Sequence, residues 1–101
     1  MMSEMDKLDV ALTERGVEHQ YNKTFPEMTE IVKLARNKIR IPDNKEFWSQ
    51  ITVYKDGEYL WDAIYGYGTY GYEDGLLEIA GSIAKYDVEG FLTADDIINR
   101  L

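Results

Sequence analysis

Residues 48–65 read Trp48-Ser49-Gln50-Ile51-Thr52-Val53-Tyr54-Lys55-Asp56-Gly57-Glu58-Tyr59-Leu60-Trp61-Asp62-Ala63-Ile64-Tyr65. Two runs of aromatic and β-branched residues, 47–54 and 58–65, flank Asp56-Gly57, a pair that tolerates the positive φ of a two-residue type I′ turn. A regular hairpin then sets Lys55 opposite Glu58, Val53 opposite Leu60, Ile51 opposite Asp62 and Ser49 opposite Ile64. The alternate pairs are Tyr54 with Tyr59, Thr52 with Trp61 and Trp48 with Tyr65. One face is aliphatic with Asp62 inside it, and the other is aromatic. A carboxylate in an aliphatic face needs partners, and the backbone amides of the glycine-rich stretch at 66–71 are the expected ones. Helices are expected to cover the aromatic face; left open, it would be an interface or a dimer contact.

Helical signals lie on both sides of the hairpin. Ser3 is a good N-cap with Asp6 three residues on, and Met5, Leu8, Ala11 and Leu12 share a face until Gly16 ends the pattern. Residues 17–21 alternate apolar and polar, as in a short strand or an extended link. Thr24-Phe25-Pro26-Glu27 joins an N-cap, an early proline and a capping glutamate ahead of Met28, Ile31, Val32, Ala35 and Ile39 at helical spacing, and Pro42 forces a break. Asp74 is expected to cap a helix carrying Leu76, Leu77, Ile79, Ala80 and Ile83, and Thr93 with Asp96 to cap a last one with Ile97, Ile98 and Leu101 inward. The expected fold is α+β, a single domain over 1–101. Its antiparallel sheet (47–54, 58–65, with 17–21 as a third strand or link) packs against about four helices at 4–15, 25–39, 75–85 and 94–101.

The 101 residues suffice for one core, and the hydrophobic fraction of 45% is that of a folded chain. No apolar run approaches the roughly 20 residues that span a bilayer, and the amino terminus lacks a basic-then-apolar leader, so a soluble cytoplasmic protein is expected. The net charge is −8. It is concentrated in residues 51–101, where ten acids face only Lys55, Lys85 and Arg100; residues 1–50 hold nine acids and eight bases. Such a field repels nucleic acid and speeds encounter with a basic surface. The basic group Lys33, Arg36, Lys38, Arg40 and Lys45 reads as the C-terminal end of the 25–39 helix, where cations meet the helix dipole favourably.

Chemistry is sparse. There is one His and no Cys, which rules out thiolate sites and leaves no nucleophile with a base beside it; His19 reads as an edge residue. No carboxylate spacing matches a calcium loop and no paired His matches a zinc site. No catalytic residue, metal or cofactor is therefore expected. The segment Tyr65-Gly66-Tyr67-Gly68-Thr69-Tyr70-Gly71-Tyr72-Glu73-Asp74-Gly75 combines rings that have few rotamers to freeze with glycines that admit close approach, a composition suited to contact. Its glycines loosely resemble a phosphate loop, but Glu73 and Asp74 would repel a phosphate.

Trp61-Asp62-Ala63-Ile64, Tyr67 to Glu78 and the closing Glu89-Gly90-Phe91-Leu92-Thr93-Ala94-Asp95-Asp96 resemble segments of short uncharacterised proteins carried by phages and mobile elements of Gram-positive bacteria. The resemblance covers roughly the last two-fifths of the chain. It implies a setting in which small acidic proteins occupy host enzymes, including RNA-guided nucleases with basic channels. The expected function is a non-enzymatic, anti-CRISPR-type inhibitor that docks on the basic surface of a bacterial nucleic-acid enzyme, without binding nucleic acid or membrane itself. Its expected contacts are Tyr67, Tyr70, Tyr72, Glu73, Asp74, Asp87 and Glu89. The alternative is a structural or assembly protein, self-associating as a homodimer through the aromatic hairpin face.

Overall fold

The structure, a computed structural model, describes residues 2–22, 49–66 and 68–101. The helix read at 25–39, the basic group at Lys33–Lys45, Trp48 and Tyr67 lie outside the described residues. Helix α1 (Glu4–Glu14) leads into β1 (His19–Asn22). After the undescribed stretch come β2 (Ser49–Lys55), β3 (Glu58–Tyr65), a 3₁₀ turn (Tyr72–Asp74), β4 (Leu77–Gly81), β5 (Val88–Leu92) and α2 (Ala94–Ile98). The five strands form one antiparallel sheet in chain order. A mostly β domain with two short helices among the described residues replaces the expected sheet under about four helices.

The local signals produce the elements they encode. Ser3 Oγ accepts from the Asp6 backbone N–H at the start of α1. Thr93 and Asp96 form a reciprocal capping box at the start of α2, satisfying two donors that the helix cannot pair internally. Asp56 (φ 53°) and Gly57 (φ 81°) both take the left-handed conformation of a type I′ turn.

Two larger expectations are corrected. The stretch read as a helix at 75–85 instead contains β4, preceded by Gly75 and ending at Gly81, both at positive φ. Leu77 and Ile79 are buried while Glu78 and Ala80 are not, the period-2 pattern of a strand. An apolar run this short fits either periodicity; pairing with the open edge of β3 decides it.

The second correction is the hairpin register. Lys55–Glu58 and Tyr54–Tyr59 pair as expected, but a β-bulge then intervenes, and Val53 faces Trp61, Thr52 faces Asp62 and Ile51 faces Ala63. Leu60 is the extra residue. The one-residue slip turns Trp61 into the core and Asp62 out of it. The energetics favour the slip: one lost ladder hydrogen bond costs about 0.5–1.5 kcal/mol net, less than the several kcal/mol of burying a carboxylate without partners. The expected aromatic face is thereby split, with Trp61 and Tyr65 on the core side and Tyr54 and Tyr59 on the other.

The core joins Met5, Leu8 and Leu12 of α1 and Ala94 and Ile97 of α2 to Ile51, Val53, Trp61, Ala63, Leu77, Ile79 and Leu92 of the sheet. At about 25 cal/mol per Å² of apolar surface, each fully buried Leu or Ile contributes roughly 1.5–3 kcal/mol. Polar pins hold the helices in place. Glu4 accepts from the Ala94 backbone N–H (2.8 Å) and from Lys7 Nζ (2.9 Å), joining α1 to the start of α2. These bonds, the Lys7 one foremost, hold its carboxyl below the usual range. Tyr21 donates to Asp6 Oδ1 (2.7 Å), and His19 lies between Asp9 Oδ1 (2.8 Å) and the Val17 carbonyl (2.7 Å). His19 thus fastens β1 to α1.

Candidate interaction surface

The loop between β3 and β4 is built by short-range bonds. Thr69, buried, donates through Oγ1 to the Gly66 carbonyl (2.7 Å) and accepts from the Gly66 N–H (3.1 Å), closing a tight turn. The Gly71 carbonyl accepts from Asp74 and Leu76, closing the 3₁₀ turn from within. Tyr65 donates to the Tyr72 carbonyl (2.9 Å) with the two rings 5.2 Å apart, and burial, then the neighbouring Tyr72, pushes the Tyr65 hydroxyl above its ordinary pKa.

Longer-range contacts seat this loop on β5. The Tyr70 N–H donates to Glu78 Oε1 (2.9 Å), and the Tyr70 carbonyl accepts from the Phe91 N–H (3.4 Å). Gly90 lies directly under Tyr70: a Cβ at position 90 would stand 2.2 Å from that of Tyr70. Beside it the β4–β5 ladder shifts register, and Phe91 takes φ 60°. A bulky residue in the left-handed region is held there by its surroundings at a cost of about 1–3 kcal/mol.

The outcome is a cleft of about 360 Å³ lined by the loop from Gly68 to Asp74 and by Phe91. Tyr70 and Phe91, both in its lining, are 57% and 59% exposed. Glu73 and Asp74 are exposed beside them, and among the described residues no basic one lines the cleft. Neither carboxylate has a hydrogen-bond or ion-pair partner among the described residues. By contrast, Asp62, Glu78, Glu89 and Asp96 all accept bonds within the domain.

The structure therefore divides the expected contact residues. Tyr70, Tyr72, Glu73 and Asp74 come together in the cleft, with Tyr72 half-buried against Tyr65. Asp87 is exposed just before β5, at the end of that strand away from the cleft. Glu89 is occupied: Arg100 grips it with both guanidinium nitrogens (2.6 Å for Nη1 to Oε1), and Lys85 N–H donates to it (3.0 Å). Arg100, then the Lys85 amide, holds the Glu89 carboxyl at about 2. Asp74 ends the 3₁₀ turn instead of capping a helix.

Asp62 is not bonded to the glycine-rich loop. On the outer sheet face it accepts from Gln50 Nε2 (2.9 Å) and Tyr59 hydroxyl (2.6 Å). Burial of the hydroxyl and then the bond to Asp62 push Tyr59 up to about 12.

Phe91 was not among the expected contacts. Glu89-Gly90-Phe91-Leu92 carries Gly90 as its one warning of a bulge, and nothing in it reports that the chain above will fill the space over Gly90. A second, more apolar groove of about 570 Å³ lies at the other end of the sheet, lined by Val53, Leu60, Trp61 and Ile83 among others, with Arg100 at its edge.

Among the described residues no three His, Asp or Glu side chains are grouped to hold a metal ion, and no helix is long and apolar enough to cross a membrane. Compared with family models, curated proteins and solved structures, the chain has no match in any of the three.

Proposed function

We propose that this chain is a non-enzymatic binding protein of the cytoplasm that presents the Tyr70–Phe91 cleft to the basic surface of a nucleic-acid enzyme, with inhibition of an RNA-guided nuclease as its role. The observation that carries the reading is the cleft itself: two aromatic side chains more than half exposed beside two carboxylates with no described partner. Aromatic anchors rimmed by charge are the usual energetic centre of a protein interface. The concentration of acid in residues 51–101 and the resemblance to phage and mobile-element proteins support the choice of a basic, nucleic-acid-handling partner. Tyr70 and Phe91 are the anchors, with Glu73 and Asp74 as the charge contacts. Asp87 adds to the long-range field. Glu89, already paired with Arg100, serves the fold.

Self-association through the hairpin is the second reading: the bulge leaves Tyr54 and Tyr59 on the outer sheet face and takes Trp61 and Tyr65 to the core side, so a homodimer contact there would be smaller than the regular hairpin implies.

The test is DNA cleavage by purified RNA-guided nucleases of Gram-positive bacteria, with and without the protein, over a range of salt. Inhibition that weakens with salt, and that is lost together with its salt dependence in Glu73→Lys/Asp74→Lys, is the expected result. Inhibition untouched by that double reversal removes the cleft from the interface, and absence of inhibition across the set removes the nuclease as partner.

A further inference from the structure

We propose that the Tyr70–Phe91 cleft is a receptor for one arginine side chain of the partner, read as a planar guanidinium and not merely as positive charge. This rests on the reading of the cleft as the binding surface and names the group that enters it.

Three features carry the assignment. The cleft holds about 360 Å³, near the small end of the roughly 300–1,000 Å³ of ligand clefts, which suits a single side chain better than a peptide segment. Its walls include two exposed rings, Tyr70 and Phe91, and ring faces attract a flat, weakly hydrated cation. Its rim holds Glu73 and Asp74, adjacent in sequence on the 3₁₀ turn and without a described partner. A guanidinium can satisfy both kinds of wall at once, its face against a ring and its forked N–H groups toward a carboxylate. An ammonium is a compact, strongly hydrated point charge that gains little from the rings. A phosphate or an acidic peptide is excluded by the two carboxylates.

The cleft is also held open before any partner arrives. Gly90 lies beneath Tyr70, Glu78 holds the Tyr70 N–H, and Phe91 is kept at φ 60° by the bulge. A receptor that needs no ordering loses less affinity to entropy on binding.

The experiment is an amide chemical-shift titration of the whole chain with three probes: acetyl-Gly-Arg-Gly-amide, its lysine counterpart, and its citrulline counterpart, which keeps the shape and removes the charge. The expected result is saturable shifts at Tyr70, Glu73, Asp74 and Phe91 with the arginine peptide at millimolar concentration, at least roughly threefold weaker binding of lysine, and no saturation with citrulline. Tyr70→Leu, which keeps apolar bulk, and Glu73→Gln/Asp74→Asn, which keep size, should each weaken the arginine peptide several-fold while the rest of the spectrum is unchanged. Equal binding of arginine and lysine, saturation with citrulline, or shifts centred on the Leu60–Arg100 groove would each overturn the assignment, and the wild-type probe series decides this without any variant. Because the peptides contain no nuclease, this outcome is independent of whether cleavage is inhibited.

Discussion

Gly90 and Tyr70 lie so close that the backbone of one serves as the seat of the other: a Cβ at position 90 would come within 2.2 Å of Tyr70 Cβ and 2.9 Å of its carbonyl oxygen. Glycine is therefore required there by the chain above it. Gly90→Ala should destabilise the domain by about 1–3 kcal/mol, the usual cost of overpacking. Adding Tyr70→Gly should recover only part of the loss, since the carbonyl clash persists. Urea midpoints of the two single variants and the double variant check this; full recovery would show that the side chain alone sets the contact.

Gly81 makes a comparable approach to Trp61 across the β3–β4 pair. Its φ is 102°, and an added Cβ would stand 2.6 Å from both the Leu60 carbonyl oxygen and Trp61 Cα. Gly81→Ala combines a forbidden backbone with a clash against backbone atoms, so a loss of about 2–4 kcal/mol is expected. Trp61→Ala, which empties the same layer, should cost about 3–5 kcal/mol. A near-neutral Trp61→Ala in chemical denaturation would mean that the unbulged register, with Trp61 on the outer face, is the true one.

The Arg100–Glu89 pair predicts a specific acid response. Glu89 is held at about 2 against the ordinary 4.5 of a glutamate, so its contribution is fully present above 4.5 and is lost as pH falls toward 2. Glu89→Gln should flatten the fall of stability within that window and leave the curve above it parallel to wild type. Thermal midpoints measured across that range decide the matter, and an unchanged slope would show that other carboxylates carry the acid transition.

On the outer sheet face, Tyr59 titrates at about 12 instead of 10 because its hydroxyl is desolvated and donates to Asp62. With the folded value raised, this contribution is present below pH 10 and disappears as pH rises through 12. Asp62→Asn should move the Tyr59 titration part of the way back toward 10, since burial is the larger cause. Its partners lie on the outer face, so the same change should leave arginine-peptide binding in the cleft intact. Tyrosinate absorbance and the peptide titration report the two effects separately.

The candidate site was legible in part. The tyrosine and glycine spacing of residues 65–75 singles out the loop that forms the cleft, and Glu73 and Asp74 stand exposed beside Tyr70 in it. Phe91 and the engagement of Glu89 were not legible. Each depends on residues that the chain brings together from a distance, Tyr70 onto Gly90 and Arg100 onto Glu89.

What the sequence determined by itself are the features whose physics is complete within a few residues. Ser3 and Thr93 supply side-chain acceptors to amides three positions on, and Asp56-Gly57 tolerates the left-handed backbone of its turn. The uneven charge is likewise a property of the chain alone. Only the tertiary structure decided that Leu77–Gly81 is a strand, that Leu60 bulges so that Trp61 goes in and Asp62 stays out, and that Phe91 stands beside Tyr70. Those choices turn on an open sheet edge, the cost of an unpartnered buried carboxylate and the space above Gly90. None of these exists until distant segments meet, so local propensity could only leave them undecided or decide them wrongly.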